Sequence, residues 1–288
     1  MIELAVEKRD RLHEARRRRR MPVLIACCVA LMIAVLACAA IGPLLAPYDP
    51  NAPDLFTSVA PPSSEHWLGT DTLGRDVLSQ VIVGARTAVV GPVLIALGAL
   101  AIGGSLGLLS GYLGGATDWA IMRWVDLMLA LPGLLVAIVV VGVLGGGYLV
   151  AVALLIVLTA PIDTRVVRAA TLEQRPLPYV EAATTLGLNR RKIMVRHIWP
   201  NVMPVVVANS FLNFALGLVT LAGLSFLGLG VGPSTPDWGR MLSENRELLA
   251  ENAWAALAPG IMLVLTAASM NLMGDRLYEW LSDRGRAR

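Results

Sequence analysis

Few residues in this 288-residue chain have a type and spacing that could do chemistry. A nucleotide phosphate loop needs GxxxxGK[ST], because glycine-rich backbone amides and a lysine must meet the phosphates together. The chain has two lysines, Lys8 and Lys192, and neither follows a glycine. Any ATP chemistry must come from another chain. An intramembrane hydrolase needs a nucleophile with a base, or paired carboxylates. Ser105, Ser110, Ser210, Ser225 and Ser269 stand in apolar runs that hold no histidine. His66, Asp71 and Asp76 make a sparse metal set of one imidazole and two carboxylates. They read better as turn formers, with Arg75 paired to one of the aspartates. Cys27, Cys28 and Cys38 have neither a disulfide framework nor metal-ligand spacing. What remains is EAATTLGLNRRKIMVRHIWPN, residues 181–201, a polar stretch between two long apolar segments.

The elements that position this stretch follow from charge. Apolar residues make up 56% of the chain and charged residues 16%, whereas a soluble domain carries about a quarter charged residues. Residues 21–45, 87–111, 127–162, 202–229 and 252–274 contain no charge. A bilayer-spanning helix needs roughly 20 mainly apolar residues. The window 127–162 would make a helix of ~54 Å, too long for one pass through a ~30 Å core. Gly145-Gly146-Gly147 divides it, so the expectation is six spans, the fourth at about 148–162 and short unless it continues past Asp163 towards Arg168. The run at 21–45 exceeds the ~7–15 residues of a signal-peptide core and reads as an uncleaved anchor. With the amino terminus cytoplasmic, 20 of the 24 Lys and Arg residues fall on the cytoplasmic side and 4 outside. The positive-inside rule then places both termini in the cytoplasm, and the basic residues face anionic lipid. The parts are a basic tail (1–20), a first span (21–45), an external Pro- and Asp-rich loop (46–86), a five-helix core (87–280) and a short tail (281–288). A second external loop, at about 230–251, has the pattern of a short surface helix in its latter half.

Within this frame the polar stretch reads as two short helices. Pro178 suits a first helical turn. Tyr179, Val180, Ala183 and Leu186 recur on one apolar face. Gly187 suits a left-handed cap and Asn189 an amino-cap. Ile193, Met194 and Ile198 give the second helix an apolar side, and Pro200 marks its end or its bend into the fifth span. The small residues Ala182, Ala183 and Gly187 would let a partner's backbone approach. Arg190, Arg191, Lys192 and Arg196 on a helix–turn–helix suggest DNA only superficially. An element between two spans has no room to fold as a separate module, so nucleic acid is excluded. Glu181 in a first helical turn is favoured by the helix dipole alone. Gly98, Gly103, Gly104 and Gly107 suit close helix packing in lipid, or leave room for a passage. Asn209, Asn213 and Asn271 face a passage or another helix.

The order Glu-Ala-Ala, three residues, Gly, and a closing Pro resembles the EAA loop of bacterial ATP-binding-cassette importer permeases. Trp199 departs from the Leu common before the closing Pro. The stretches HWLGTDTLGRDVLSQVIVGART (66–87) and GGATDWAIMRWVDLMLALPGLLVAI (114–138) are similar to C-type permeases of dipeptide, oligopeptide and nickel importers. The resemblance implies an all-α membrane protein of six transmembrane helices with the type I importer permease (MetI-like) fold. It implies that Glu181, Ala182, Ala183 and Gly187, in a loop at about 171–201, couple to the ATPases. The implied partners are a homologous second permease, two ATPase subunits that bind ATP and Mg, an external solute-binding protein, membrane lipid and a peptide substrate. No cofactor is expected on this chain. Nickel or another small solute is the alternative cargo. The alternative class is a secondary carrier without an ATPase. Proton-coupled carriers place Asp, Glu or His inside the membrane, and here Asp126, Asp163, Arg165 and His197 sit at the edges of the uncharged windows.

Overall fold

The computed structural model describes residues 2–286, and the side chains of residues 23–281 apart from Leu55. The cations expected in the first tail, Lys8, Arg9, Arg11 and those at 16–20, lie outside the described side chains, as do Arg284, Arg286 and Arg288. Among the described residues the chain is helical, with no β-strand. Ten α-helices run in order: α1 (Ile2–Leu45), α2 (Val77–Leu113), α3 (Gly115–Leu129), α4 (Gly133–Val143), α5 (Tyr148–Gln174), α6 (Pro178–Thr185), α7 (Arg190–Ile193), α8 (Trp199–Phe226), α9 (Trp238–Glu244) and α10 (Ala253–Arg286). A π-helical turn, Met194–Ile198, joins α7 to α8. Five segments are long and apolar enough to cross a bilayer: Val23–Leu45, Val77–Leu113, Tyr148–Gln174, Arg190–Phe226 and Ala253–Leu281. The bent pair α3 and α4 is apolar enough to make a sixth if the two halves cross as one broken span.

Three boundaries differ from the charge-based expectation. The third span is not one helix: α3 and α4 meet at 79°. Pro132 lacks a donor, and the residue before a proline is pushed out of helical geometry. At 15 and 11 residues, neither half crosses alone. The fourth span takes the longer of its two courses, past Asp163, Arg165 and Arg168, and runs on to Gln174. The second helix starts at Val77, ten residues before the uncharged window, because Asp76 caps it. The Asp76 carboxylate accepts from Ser79 N at 2.8 Å and from Ser79 Oγ at 2.7 Å. Helix starts follow caps, whereas uncharged windows follow lipid.

The loop before α2 is ordered by polar contacts. Arg75 Nε donates to Asp71 Oδ2 at 2.7 Å, and Arg75 also pairs with Glu244 at 3.0 Å, the last residue of α9. Asp71 further accepts from Gln80 Nε2 at 2.8 Å, and His66 Nδ1 lies 2.9 Å from Asp76 Oδ1. Asp71 and Asp76 are thus the turn formers the sequence suggested, and Arg75 is paired with Asp71. The loop after α8 contains α9, whose Trp238 is buried rather than on the surface and donates to Val81 O at 2.9 Å.

The spans are held together by close approach. A Cβ added to Gly103 would lie 2.5 Å from Asp163 Cβ, and one on Gly107 would lie 2.6 Å from Thr164 O. One on Gly111 would lie 2.7 Å from Thr171 Cβ. This small-residue stripe seats α2 directly on α5, the arrangement by which lipid-embedded helices gain dispersion contacts. Gly98 meets Ile156 and Gly104 meets Trp199, so all four glycines flagged in the sequence serve packing.

Two expectations follow. Gly107→Leu forces α2 from α5 and destabilises the chain by about 1–3 kcal/mol or more, whereas Gly133→Ala, with open space around it, is neutral. Thermal unfolding in detergent measures both. Burial holds the Asp237 carboxyl above its ordinary range. A raised folded-state pKa means its contribution is fully present below the ordinary carboxylate value and is lost as pH rises through the raised one. Asp237→Asn keeps an amino-cap on α9 and removes that loss. Its stability advantage over the parent is therefore expected at neutral pH and shrinks towards pH 4 in the same melts.

Candidate functional site

The stretch at 178–198 folds into two short helices because its caps leave few alternatives. Leu177 is extended, Pro178 opens α6, and Glu181 stands in the first turn. The helix ends when Gly187 takes φ +71°. Leu188 N then donates to Ala183 O at 3.2 Å and Gly187 N to Thr184 O at 3.0 Å. That bond pair is the Schellman closure, which needs a left-handed residue that glycine adopts without strain. Asn189 opens α7, its side chain accepting from Arg191 N at 3.2 Å.

The second short helix does not end at Pro200. It passes through the π turn into α8 without a break, giving one helical run from Arg190 to Phe226. The π turn shifts the bonding so that Trp199 N reaches Met194 O. Asn201 Nδ2 donates to His197 O at 2.7 Å, occupying a carbonyl near the proline. Movement of α7 is therefore movement of the end of a membrane-crossing helix.

The two short helices have two faces. Val180, Ala183, Ile193, Met194 and Ile198 are buried in one cluster with Leu108, Val167, Val202 and Val206. Tyr179 Oη donates to Gln174 Oε1 at 2.9 Å, and burial holds its phenol above the ordinary range, so it stays a neutral donor. The outward face carries Glu181, Ala182, Leu186, Gly187, Arg190, Arg191, Lys192 and Arg196, all exposed. None of its charged residues pairs with another described residue. A cleft of about 360 Å³ opens beside it, between Tyr112, Arg175, Glu181, Thr184 and Arg190.

Four residues were singled out here from the sequence. Glu181, Ala182 and Gly187 share the exposed face, but Ala183 is on the opposite side with 4% exposure. Its small side chain lets α6 lie close to the bundle rather than to a partner. Leu186 was expected inward and is 78% exposed. It is the cap residue, with ψ 1°, so helical periodicity no longer sets its direction. It forms an apolar knob next to Gly187.

Sequence reasoning missed a polar centre above this loop. Asp163 is 1% exposed and lies 15 residues into α5, about 22 Å from its start. Asn213 Nδ2 donates to Asp163 Oδ1 at 2.6 Å, and Asn209 Nδ2 donates to the same oxygen. Of the two readings for these asparagines, contact with another helix is the one observed. Asn271 is exposed. The spacing of Asn209 and Asn213, one helical turn apart, was the available signal. Lower down, Arg168 grips Asp118 of α3 with two bonds of 2.6 and 2.7 Å.

Comparison with known proteins adds to this geometry. Residues 103–286 match the family model described as "Binding-protein-dependent transport system inner membrane component". The chain is 38% identical over 241 residues to the glutathione transport system permease protein GsiD of Pectobacterium atrosepticum, covering 83% of this chain and 80% of that protein. It is 34% identical over 254 residues to the probable D,D-dipeptide transport system permease protein DdpC of Escherichia coli, covering 88% and 85%. It is 36% identical over 263 residues to the di/tripeptide transport system permease protein DppC of Pseudomonas aeruginosa, covering 88% and 86%. A solved inward-facing structure of the MetNI methionine ABC transporter superposes with a TM-score of 0.60 at 18% identity. It covers 71% of this chain and 97% of the matched one, and it shows the shared fold.

The cap geometry makes its own prediction. Gly187→Ala meets no neighbour but must hold a left-handed backbone, at a cost of about 1–2 kcal/mol. Gly187→Asn tolerates that conformation. Hydrogen exchange of the amides at 184–188 is expected to quicken in the alanine variant and to change little in the asparagine one.

Proposed function

We propose that this chain, which belongs to the family of binding-protein-dependent transport system inner membrane components, is a permease subunit of an ATP-driven importer of short peptides. The observation that carries this reading is the two-faced loop. Its inner face is built into the bundle core, while its outer face presents an unpaired rank of charges around the Leu186 and Gly187 crest. Such a surface suits docking by another protein, because exposed apolar groups rimmed by charge mark interaction sites. The docking partner is a pair of ATPase subunits, which hold the ATP and Mg that this chain has no phosphate loop to bind. Glu181, Ala182 and Gly187 are the coupling residues at the contact.

A homologous second permease completes the passage. A solute-binding protein delivers cargo from outside, and both termini lie in the cytoplasm, as the arginine asymmetry supports. The curated relatives carry glutathione, D,D-dipeptide or di- and tripeptide in their names, which favours short peptides over nickel as cargo. ATP-driven closure of the ATPases pushes on α6 and α7. The push enters the membrane through the unbroken helix from Arg190 to Phe226.

The test is uptake of a labelled dipeptide by cells carrying Gly187→Asp. Aspartate accepts a left-handed backbone, and the space around Gly187 is open, so the variant folds. Its carboxylate stands on the docking crest. Uptake is expected to fall about tenfold or more, the effect of a 1.4 kcal/mol loss in docking. Parental uptake at equal expression, or failure of the tagged chain to bring down ATPases in mild detergent, would overturn the reading.

A further inference from the structure

The polar centre at Asp163 lies between apolar clusters. On the loop side are Val167 of α5 and Val202 and Val206 of α8. On the other side are Val152 and Leu155 of α5 with Leu221 and Leu224 of α8. On α2, Gly103 abuts Asp163, with Leu108 below and Ile95 above. Apolar contacts of this kind are non-directional, and in lipid they supply no strong preference for one register over a neighbouring one. The bonds from Asn209 and Asn213 to one carboxyl oxygen are directional, and they lie in a water-excluded layer where a broken bond is costly. The helices joined are also particular. Helix α5 leads into the loop at 178–198, and α8 leads out of it.

We infer that Asp163, held by Asn209 and Asn213, is a positioning latch that fixes the register of the helix entering the coupling loop against the helix leaving it. With the latch closed, α5, α6, α7 and the first turns of α8 move as one body, so a push on the loop becomes a tilt of the spans. With it removed, the apolar clusters let α8 slide on α5, and a push on the loop shifts α8 alone instead of tilting the spans together. The coupling consequence rests on the importer reading above, whereas the register consequence does not.

The experiment compares the full-length chain with Asp163→Leu and with the reciprocal pair Asp163→Asn plus Asn213→Asp. Hydrogen exchange of the amides at 178–198 in detergent is expected to quicken about tenfold in Asp163→Leu. Exchange at 148–158 is expected to stay at the parental rate. The reciprocal pair, which returns a carboxylate and a carboxamide to the same interface, restores the slow exchange. In proteoliposomes with its co-purified ATPases, Asp163→Leu is expected to raise the ATP hydrolysed per peptide moved by about fivefold, and the pair to return it to parental. A merely structural defect would lower both rates together and leave their ratio unchanged. If Asp163→Leu is not recovered folded, Asn209→Leu, which removes one of the two donors, is expected to give a smaller change in the same direction. Parental exchange in Asp163→Leu or Asn209→Leu overturns the latch, as does a reciprocal pair that restores nothing. Should no ATPase co-purify, the importer reading fails, and the exchange measurements alone decide the register.

Discussion

The seating of α2 on α5 is the constraint from which the rest of the arrangement follows. Three glycines one turn apart, Gly103, Gly107 and Gly111, let the backbone of α2 meet Asp163, Thr164 and Thr171 of α5 at distances no side chain would permit. In a bilayer there is no water to drive helices together, so surface complementarity and internal polar bonds must do it. Once α2 and α5 are in contact, α8 packs against both, and Asp163 finds carboxamides rather than lipid.

The same economy of polar groups explains the two ends of the bundle. Backbone and side-chain polar atoms at membrane depth must be satisfied inside the protein. Away from the loop at 178–198, Asp71, Arg75, Gln80 and Glu244 form one bonded set that ties the segment before α2 to α9. At the loop end, Arg168 and Asp118 bind α5 to α3. By contrast, the outward cations of α7 have no ion-pair partner among the described residues. Four cations close together on one exposed face, Arg190, Arg191, Lys192 and Arg196, are what support the proposed docking surface.

The position of the π turn gives the loop its mechanical character. A proline at the junction of a short helix and a span would ordinarily break the run. Here the wider turn at Met194–Ile198 carries the chain past Pro200, and Asn201 takes up a nearby carbonyl. The loop is thus rigidly continuous with α8, while on the α5 side it is joined through a short extended link at Leu177. One stiff and one bending connection would make the relative register of α5 and α8 matter.

Much of this protein could be read from residue order alone, for a physical reason. Lipid exposure is a property of each segment, so uncharged runs of about the bilayer's thickness reveal the crossings. Caps are equally local: Pro178, Gly187 and Asn189 announce two short helices. What order alone could not decide were relations between segments. Leu186 fits an inward face until the cap geometry turns it out. Ala183 belongs to the motif yet serves the core. The size of the break between α3 and α4, 79°, was not given by Pro132 alone. Asp163 stood at the edge of a window because charge was taken as a boundary. In three dimensions it lies inside, where Asn209 and Asn213, forty-six and fifty residues away, both donate to its Oδ1 while Oδ2 has no partner among the described residues.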